Sequence, residues 1–340
     1  MKILRKLLFP FALLYGLITA IRNFLFDQGL KKHTTFNVPV IAVGNLSVGG
    51  TGKTPQIEYL VRMLSDSYKV ATLSRGYKRQ SEGFILADEN ANALILGDEP
   101  FQYYQKFPKI QVAVDANRTN GIFLLLSQKV KPEIILLDDA YQHRKVKAGL
   151  YILLTAYGDL YADDFILPMG NLRESRSGAK RAKVVVVTKC PATLSVEEQQ
   201  EITNKLNLNS NQELYFSTIQ YDTVVYGKNE QLTVEALKSK QKVLLAGIAK
   251  PKPFFEYLKN DHDLCLTYPD HHHFSDKDLI TIQEQSKGKI IITTEKDYVR
   301  LKDSILKEQL YYLPIQSKLL TKVNQFENSV LSFVKQTFKS

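Results

Sequence analysis

The sequence of 340 residues contains no tryptophan, three methionines and two cysteines. Because Cys190 and Cys265 are far apart and form no C-x-x-C pair, a disulfide framework and a cysteine zinc site are excluded as the basis of the fold. Two such thiols are typical of core residues in a reducing compartment. A zinc-finger spacing and an aromatic RNA-binding signature are also missing, so we expect no nucleic-acid partner.

Acidic residues are fewer than basic ones: the chain has 35 Asp and Glu residues and 45 Lys and Arg residues, which gives a formal net charge of +10. A basic surface suits anionic partners such as nucleotides, phosphorylated lipids and anionic membranes. The apolar share of 44% is that of a folded protein and not of a disordered one. A chain of this length has room for about two domains.

A long hydrophobic run is also missing. The most apolar segment is uncharged only at positions 7–21, fewer than the roughly twenty residues that a spanning helix needs. A signal peptide is disfavoured, because Ile18 stands where a small residue is expected and apolar residues resume at Phe24. A buried core helix and an interfacial helix remain. The flanks are basic, with only Asp27 opposing Lys2, Arg5, Lys6, Arg22, Lys31 and Lys32. This charge favours a membrane-associated helix in residues 1–33, without a firm crossing.

What the sequence does contain is a phosphate-binding pattern in residues 38–54, VPVIAVGNLSVGGTGKT. Its glycines let backbone N–H groups turn toward an anion, and the helix that follows adds its positive dipole end. Lys53 is placed to reach terminal phosphates, and the hydroxyl of Thr54 to bind Mg²⁺. Ser47 replaces the first glycine of the general pattern. The predicted nucleotide-binding residues are Ser47, Val48, Gly49, Gly50, Thr51, Gly52, Lys53 and Thr54.

A second motif, which is acidic, follows an apolar strand at residues 133–137. That strand delivers Asp138 and Asp139 at its carboxyl end, where a carboxylate commonly holds Mg²⁺ beside a phosphate loop. We therefore predict that Thr54 binds the metal together with Asp138 or Asp139, and the spacing does not choose between the two aspartates. Guanine specificity is not supported, because Pro191 stands where an Asp would be needed after Lys189.

Three further motifs carry charge but are ambiguous on spacing alone. Arg75, in SRGY at a strand end, is either a phosphate contact or a surface cation. The quartet G-D-E-P at 97–100 is explained by turn chemistry as well as by catalysis, and the spacing favours the turn. Arg173 and Glu174, in the loop LPMGNLRE, are either active-site charges or an ordinary helix-start pair.

The pattern changes beyond residue 206. Alternation over 213–226 predicts an extended ribbon, and a second α/β unit follows it. We predict a nucleotide-binding domain at 34–220, a smaller α/β domain at 221–320 and a closing helix within 321–340, which packs near the first domain. A candidate strand at 309–315 would return to pair with the ribbon as a two-stranded hinge.

Three consecutive histidines, 271–273, lie in the smaller unit. Because adjacent residues of an extended chain alternate faces, at most two of them converge, and we expect no structural metal there. A histidine beside an Asp at a loop tip suits proton handling, and a solvated loop explains it equally well.

Taken together, the motifs resemble the tetraacyldisaccharide 4'-kinase family, which makes the lipid A anchor of Gram-negative outer membranes. The resemblance spans nearly the whole chain in the family's order, through VGNLSVGGTGKTP, LSRGY, GDEP, DDAYQHR, LPMGNLRE, AGIAKPKPFF, YPDHHHF and TTEKDYVRL. Ser47 is itself typical of this family. Ala140-Tyr141 differs from the more common Gly-Leu.

The resemblance implies two α/β/α (Rossmann-like) domains, the first of the P-loop kinase type, joined by a two-stranded β linker and preceded by a membrane-associated helix. It implies transfer of the γ-phosphate of ATP, with Mg²⁺, to the 4'-hydroxyl of a tetraacyldisaccharide 1-phosphate at the cytoplasmic face of the inner membrane. Asp98 would be the base, and His271 its partner. Arg75, His143, Arg173 and Glu174 fall in motifs around the site without individual roles. We expect a monomer.

Two other functions are weighed against a lipid kinase. A membrane-bound ATPase switch of the positioning type carries a signature Lys before the Gly-Gly of its loop, and Val48 stands there instead. A soluble small-molecule kinase is disfavoured by the apolar, basic N-terminus.

Overall fold

The computed structural model describes Arg5 and residues 7–339. Lys2 and Lys6, which belong to the predicted basic flank, and Ser340 of the predicted closing segment lie outside the described residues. Within the described part both cysteines are free, with Cys190 buried and Cys265 half-buried.

A nine-stranded sheet organises the larger domain. Its strands are β1 (Val40–Asn45), β2 (Val70–Ser74), β3 (Ile85–Leu86), β4 (Gln111–Val114), β5 (Ile134–Asp138), β6 (Leu150–Ala156), β7 (Val184–Thr188), β8 (Glu213–Tyr221) and β15 (Ile315–Leu319). They lie in the order β15-β8-β7-β6-β1-β5-β2-β4-β3, parallel except at the two edges. Parallel strands covered on both faces are apolar throughout, and β5 and β7 are buried along their whole length.

Helices cover both faces of this sheet. They are α1 (Phe9–Asp27), α2 (Lys53–Leu64), α3 (Ala93–Leu96), α4 (Asp98–Lys106), α5 (Arg118–Leu126), α6 (Val196–Leu206) and α11 (Val323–Thr337). On one face, Ile57 of α2 and Phe326 of α11 belong to the same core as Ile41 of β1. On the other face, Ile122 of α5 packs with Ile135 of β5. The closing helix therefore packs on the larger domain.

The smaller domain repeats this layering around six strands. Its elements are β9 (Val224–Tyr226), β10 (Gln231–Thr233), α7 (Val234–Lys238), β11 (Val243–Ala246), α8 (Lys252–Leu258), β12 (Leu264–Thr267), α9 (Asp276–Ser286), β13 (Ile291–Thr294), α10 (Glu295–Leu301) and β14 (Leu310–Leu313). The strand order is β10-β9-β14-β13-β11-β12, with β11 to β14 parallel. Both faces carry buried apolar clusters, so helices lie on each side.

Two short crossings join the domains. The predicted ribbon 213–226 is divided at residues 222–223, because β8 belongs to the larger sheet and β9 to the smaller. The predicted strand 309–315 is likewise two strands, since Pro314 has no N–H and separates β14 from β15. Strand β15 pairs antiparallel with β8, placing Ile315 opposite Tyr221. The predicted interval 221–320 therefore includes a strand that belongs to the larger sheet.

Helix α1 is longer than the uncharged run in its sequence, because it continues through Arg22 to Asp27. It has 19 residues, and an 18-residue window reaches a mean hydropathy of 1.5. By length and composition alone, α1 meets the requirement for crossing a membrane, and no other helix in the described residues does. Only 11% of that window is buried.

Candidate active site

The glycine-rich loop, residues 46–52, connects β1 to α2 in the centre of the larger sheet. Gly49 and Gly52 have φ values of 113° and 80°, in the region that side chains rarely adopt. The surrounding strands fix the loop through its backbone. Thr188 donates to the carbonyl of Thr51 at 2.8 Å, and Lys189 to that of Gly50 at 2.6 Å. The loop is therefore positioned by the carboxyl end of β7.

The loop LPMGNLRE, residues 167–174, runs alongside the glycine-rich loop. Ser47 forms an antiparallel bridge with Leu172, and the N–H of Val48 donates to the carbonyl of Asn171 at 2.8 Å. This pairing carries Arg173 to the edge of the sheet that holds the glycine-rich loop.

Lys53, Asp139 and Arg173 converge. The Nζ atom of Lys53 lies 3.6 Å from Oδ1 of Asp139, and Nη1 of Arg173 lies 3.0 Å from the same oxygen. Burial alone would raise the pKa of Asp139, but the two cations outweigh it and the pKa is lowered. Asp139 is therefore ionised and paired, with a left-handed φ of 47°.

Asp138, the last residue of β5, is in a different environment. Its Oδ2 accepts hydrogen bonds from Ser74 at 3.4 Å and Tyr103 at 3.3 Å. Its Oδ1 is buried and has no hydrogen-bond partner among the described residues. Burial and the charge of Asp139 raise its pKa to about 6. An unsatisfied carboxylate oxygen beside a phosphate-type loop fits a position that binds a hard cation.

The G-D-E-P quartet forms both a turn and a helix start. Gly97, with φ of 89°, turns the chain between α3 and α4, and Asp98 is the first residue of α4. A Cβ atom on Gly97 would lie 3.0 Å from the carbonyl oxygen of Tyr77, so the SRGY segment packs directly against this turn. A carboxylate in the first helical turn is favoured by the helix dipole.

Asp98 is met by side chains of the smaller domain. Its Oδ2 lies 3.1 Å from Nδ1 of His271, and its Oδ1 accepts from Nε of Arg300 at 3.0 Å. A second nitrogen of Arg300, Nη2, contacts Oδ2. Burial would raise the pKa of Asp98, but the hydrogen bonds from His271 and Arg300 hold it well below its usual range. The structure thus brings the two residues of the predicted catalytic pair together.

The three histidines diverge. His271 adopts a left-handed φ of 58° and faces Asp98, with its ring edge-on to Tyr77 at 5.2 Å. His272 faces Asp278 at 3.1 Å, and His273 is exposed.

The sequence reasoning missed Lys296 and Arg300, which are one helical turn apart in α10. The Nζ atom of Lys296 lies 2.8 Å from Nε2 of His271. Both residues are within the motif TTEKDYVRL, and their i, i+4 spacing immediately after a strand end was the signal that could have identified them.

The remaining candidates have distinct surroundings. Arg75 is exposed at the end of β2. Glu174 is buried and accepts hydrogen bonds from Asn23 of α1 at 2.6 Å, Gln142 at 2.9 Å and Arg181 at 2.8 Å. Its carboxylate therefore links α1 to the loop that follows β5, and this contact holds the two segments together.

His143 lies beside α1, on a basic cleft of about 530 Å³. Burial and the nearby cation Arg118 lower the pKa of His143 to about 4, so its ring is neutral at physiological pH. Its Nε2 is buried without a partner among the described residues. The cleft is lined by Arg22, Phe26, Leu30, Lys31, Lys32, Gln142, His143, Arg144 and Lys145.

Comparison with known proteins gives a consistent result. A family model described as tetraacyldisaccharide-1-P 4'-kinase matches residues 4–335. The chain is 69% identical over 339 residues to the tetraacyldisaccharide 4'-kinase of Flavobacterium johnsoniae, covering 100% of both chains. It is 44% identical to the protein of that name from Bacteroides thetaiotaomicron, covering 99% of this chain and 95% of the other. The crystal structure of LpxK from Aquifex aeolicus in complex with ATP superimposes with a TM-score of 0.79 at 31% identity, covering 98% of this chain and 99% of that one.

Proposed function

This chain belongs to the tetraacyldisaccharide 4'-kinase family and is a kinase of lipid A biosynthesis, and we propose that Asp98 takes the proton of the lipid 4'-hydroxyl that ATP phosphorylates. The observation that carries this assignment is the meeting of Asp98 with His271 and Arg300 across the boundary between the domains. Helix α4, which Asp98 begins, also contacts Asp138, because the hydroxyl of Tyr103 lies 3.3 Å from Oδ2 of Asp138. The base is therefore close to the nucleotide side of the sheet.

The two carboxylate oxygens of Asp98 have different hydrogen-bond partners. Oδ2 accepts from both His271 and Arg300, whereas Oδ1 accepts only from Nε of Arg300 among the contacts of the described residues. A carboxylate oxygen has two lone-pair sites, so one site of Oδ1 is open to an acceptor hydroxyl. Because the low pKa keeps Asp98 ionised, it can accept the proton as the phosphoryl group is transferred.

His271 is oriented by its neighbours. Its Nε2 lies 2.8 Å from the ammonium of Lys296, and its Nδ1 lies 3.1 Å from both Oδ2 of Asp98 and Nη2 of Arg300. A ring held in this way orients the carboxylate from the side of the smaller domain. Since His271 comes from the smaller domain, the base is complete only when the two domains are together.

Lys53 and the metal ligands complete the nucleotide site in this proposal. Asp138, with its unsatisfied buried oxygen, and Thr54 and Asp139 would hold Mg²⁺, which neutralises phosphate charge during transfer. Lys53 would leave Asp139 for the terminal phosphates, while Arg173 keeps Asp139 paired. Residues 47–52 would surround the phosphates with backbone N–H groups.

We propose that the enzyme works at the cytoplasmic face of the inner membrane through α1. Phe11, Leu17 and Phe24 on its outer side are more than half exposed, at 63%, 58% and 57%. The basic cleft at the end of α1 suits anionic headgroups and the phosphate of the acceptor. Because every group of the site comes from one chain, a monomer suffices.

The test incubates the full-length protein and γ-labelled ATP with tetraacyldisaccharide 1-phosphate in detergent micelles. We expect label in the lipid for the wild type, and a loss of about 10²–10⁴-fold in kcat for Asp98→Asn with ATP binding retained. Asp66→Asn is the matched control, because Asp66 pairs with Lys109 on the surface. Release of labelled phosphate without lipid labelling would indicate an ATPase switch. Near-normal turnover by Asp98→Asn would refute the assignment of the base.

A further inference from the structure

Arg300 is a residue of the smaller domain that contacts both carboxylate oxygens of Asp98. Its Nε lies 3.0 Å from Oδ1 of Asp98 while its Nη2 contacts Oδ2, so the guanidinium holds the carboxylate in a fork. The side chains of Arg300 and Asp98 are only 11% and 13% exposed. A paired, largely desolvated fork of this kind fixes the plane of both groups.

The guanidinium is oriented from within its own domain. Nη1 of Arg300 lies 3.3 Å from the carbonyl of His272 and 3.5 Å from Oδ1 of Asp297. Asp297 is fully buried and is itself held, by the N–H of Gly247 at 2.8 Å and the hydroxyl of Thr294 at 2.7 Å. Gly247 is required for this contact, since a Cβ there would lie 2.9 Å from Asp297.

We propose that Arg300 is a positioning residue of the kinase reaction: it holds Asp98 in the one rotation that turns Oδ1 toward the acceptor hydroxyl, and it does so only while the domains are together. The proposal rests on the assignment of Asp98 as the base. Without Arg300, the carboxylate would keep one hydrogen bond, from His271 to Oδ2, and would rotate about its bond to Cβ.

A lysine at position 300 would not replace the arginine. An ammonium is a point charge and lacks the planar pair of donors that matches two carboxylate oxygens. The nearby Lys296 cannot substitute either, because it contacts His271, Glu99 at 3.5 Å and Asp270 at 3.2 Å. The fork is thus specific to Arg300.

The experiment compares Arg300→Ala and Arg300→Lys with the control Lys307→Ala, which removes an exposed cation from the same domain. We expect kcat to fall about 100-fold in both Arg300 variants, with the KM for ATP within about twofold of wild type, because misorientation and not nucleotide binding is affected. Millimolar guanidinium should restore part of the kcat of Arg300→Ala and none of that of Arg300→Lys. The acid limb of the kcat/KM profile should move to higher pH in Arg300→Ala, since the pKa of Asp98 rises when the cation is lost.

Two results would overturn the proposal. One is a normal kcat in Arg300→Ala while Asp98→Asn is inactive. The other is a folded Arg300→Ala whose residual kcat does not respond to guanidinium and whose pH profile is that of the wild type. If Arg300→Ala fails to fold, Arg300→Lys preserves the charge and supplies the kcat comparison. Activity in Asp98→Asn would instead reject the base itself, so failure of the proposed function is distinguishable.

Discussion

The Nζ atom of Lys106 in the larger domain lies 2.5 Å from Oε1 of Glu295 in the smaller one. The same ammonium lies 2.8 Å from Oε2 of Glu58, a buried residue of α2. Lys106 ends the helix that Asp98 begins, and α2 begins with Lys53. One ammonium therefore connects the helix that follows the glycine-rich loop, the helix that Asp98 begins and the smaller domain.

Replacing Lys106 should destabilise the protein strongly. Lys106→Met leaves Glu58 and Glu295, which are only 1% and 8% exposed, as like charges without a cation between them. Removing one partner of a buried pair typically costs about 3–5 kcal/mol in the free energy of unfolding. Urea unfolding measures this loss. The control Lys109→Met removes an exposed cation from the same region and should change little. Equal effects of the two substitutions would show that the buried position is unimportant.

Glu295 should make stability depend on pH. Burial and the charge of Glu58 raise the pKa of Glu295 to about 7. Since the folded pKa exceeds the unfolded value of about 4.3, its contribution is complete below that value and is lost as pH rises through about 7. The free energy of unfolding of Glu295→Gln, relative to wild type, should therefore increase by about 1–3 kcal/mol between pH 5 and pH 8. Urea titrations across this range test it, and a difference that stays constant or falls with pH contradicts it.

His271 should act through Asp98 and not independently. We expect His271→Asn to lower kcat about tenfold, because the amide can still donate to the carboxylate but is not held by Lys296. The double variant with Asp98→Asn should be no slower than Asp98→Asn alone, since residues that act as a unit are not additive. Steady-state kcat values of the four proteins provide the test. Multiplicative losses would mean that His271 has a separate role.

Asp138 should control the magnesium requirement. Asp138→Asn removes the charge behind the unsatisfied Oδ1, so we expect the Mg²⁺ concentration for half-maximal activity to rise about tenfold or more. The measurement is kcat against free Mg²⁺ at saturating ATP. Asp88→Asn, which changes an exposed carboxylate of the same domain, is the control and should leave the curve in place. An unchanged requirement in Asp138→Asn would exclude Asp138 as a ligand.

The outer side of α1 should bind lipid. Leu17→Glu places a charge on a side chain that is 58% exposed, so it should fold normally but lose affinity for anionic phosphatidylglycerol vesicles. Vesicle co-sedimentation measures the bound fraction. Leu94→Glu, on a leucine of α3 that is 50% exposed, is the matched control. Equal binding of the two variants would exclude this side of α1 as the contact.

The prediction of the nucleotide side of the site rests on local patterns. The glycines, Lys53 and the acidic pair at 138–139 are each recognisable within a few residues, because phosphate-binding loops and strand-end carboxylates are local structures. The meeting of Asp98 with His271 is not local, since 173 positions separate them. It was anticipated only through the family resemblance, and spacing alone favoured a turn at Asp98.

The contacts that escaped prediction depend on how the two domains face each other. The spacing of Arg300 and Lys296 is that of an ordinary helix face. The fork of Arg300 on Asp98 forms only because α10 packs against α4. The sequence left Glu174 as either an active-site charge or part of a helix-start pair, and it did not indicate the partners of Glu174 in α1, in the loop after β5 and at Arg181. A sequence pattern reports the periodicity of one element and cannot report which element covers it.

The two crossings between the sheets make the smaller domain an insertion, because β8 and β15 are neighbours in the larger sheet although the whole six-stranded sheet lies between them in the chain. During synthesis on the ribosome, all of the smaller domain emerges before β15 and α11. The core against α2 is closed by Phe326, Val330 and Val334 of α11. The larger domain therefore begins to emerge first and is completed last. The smaller domain can fold while the core of the larger domain still lacks α11.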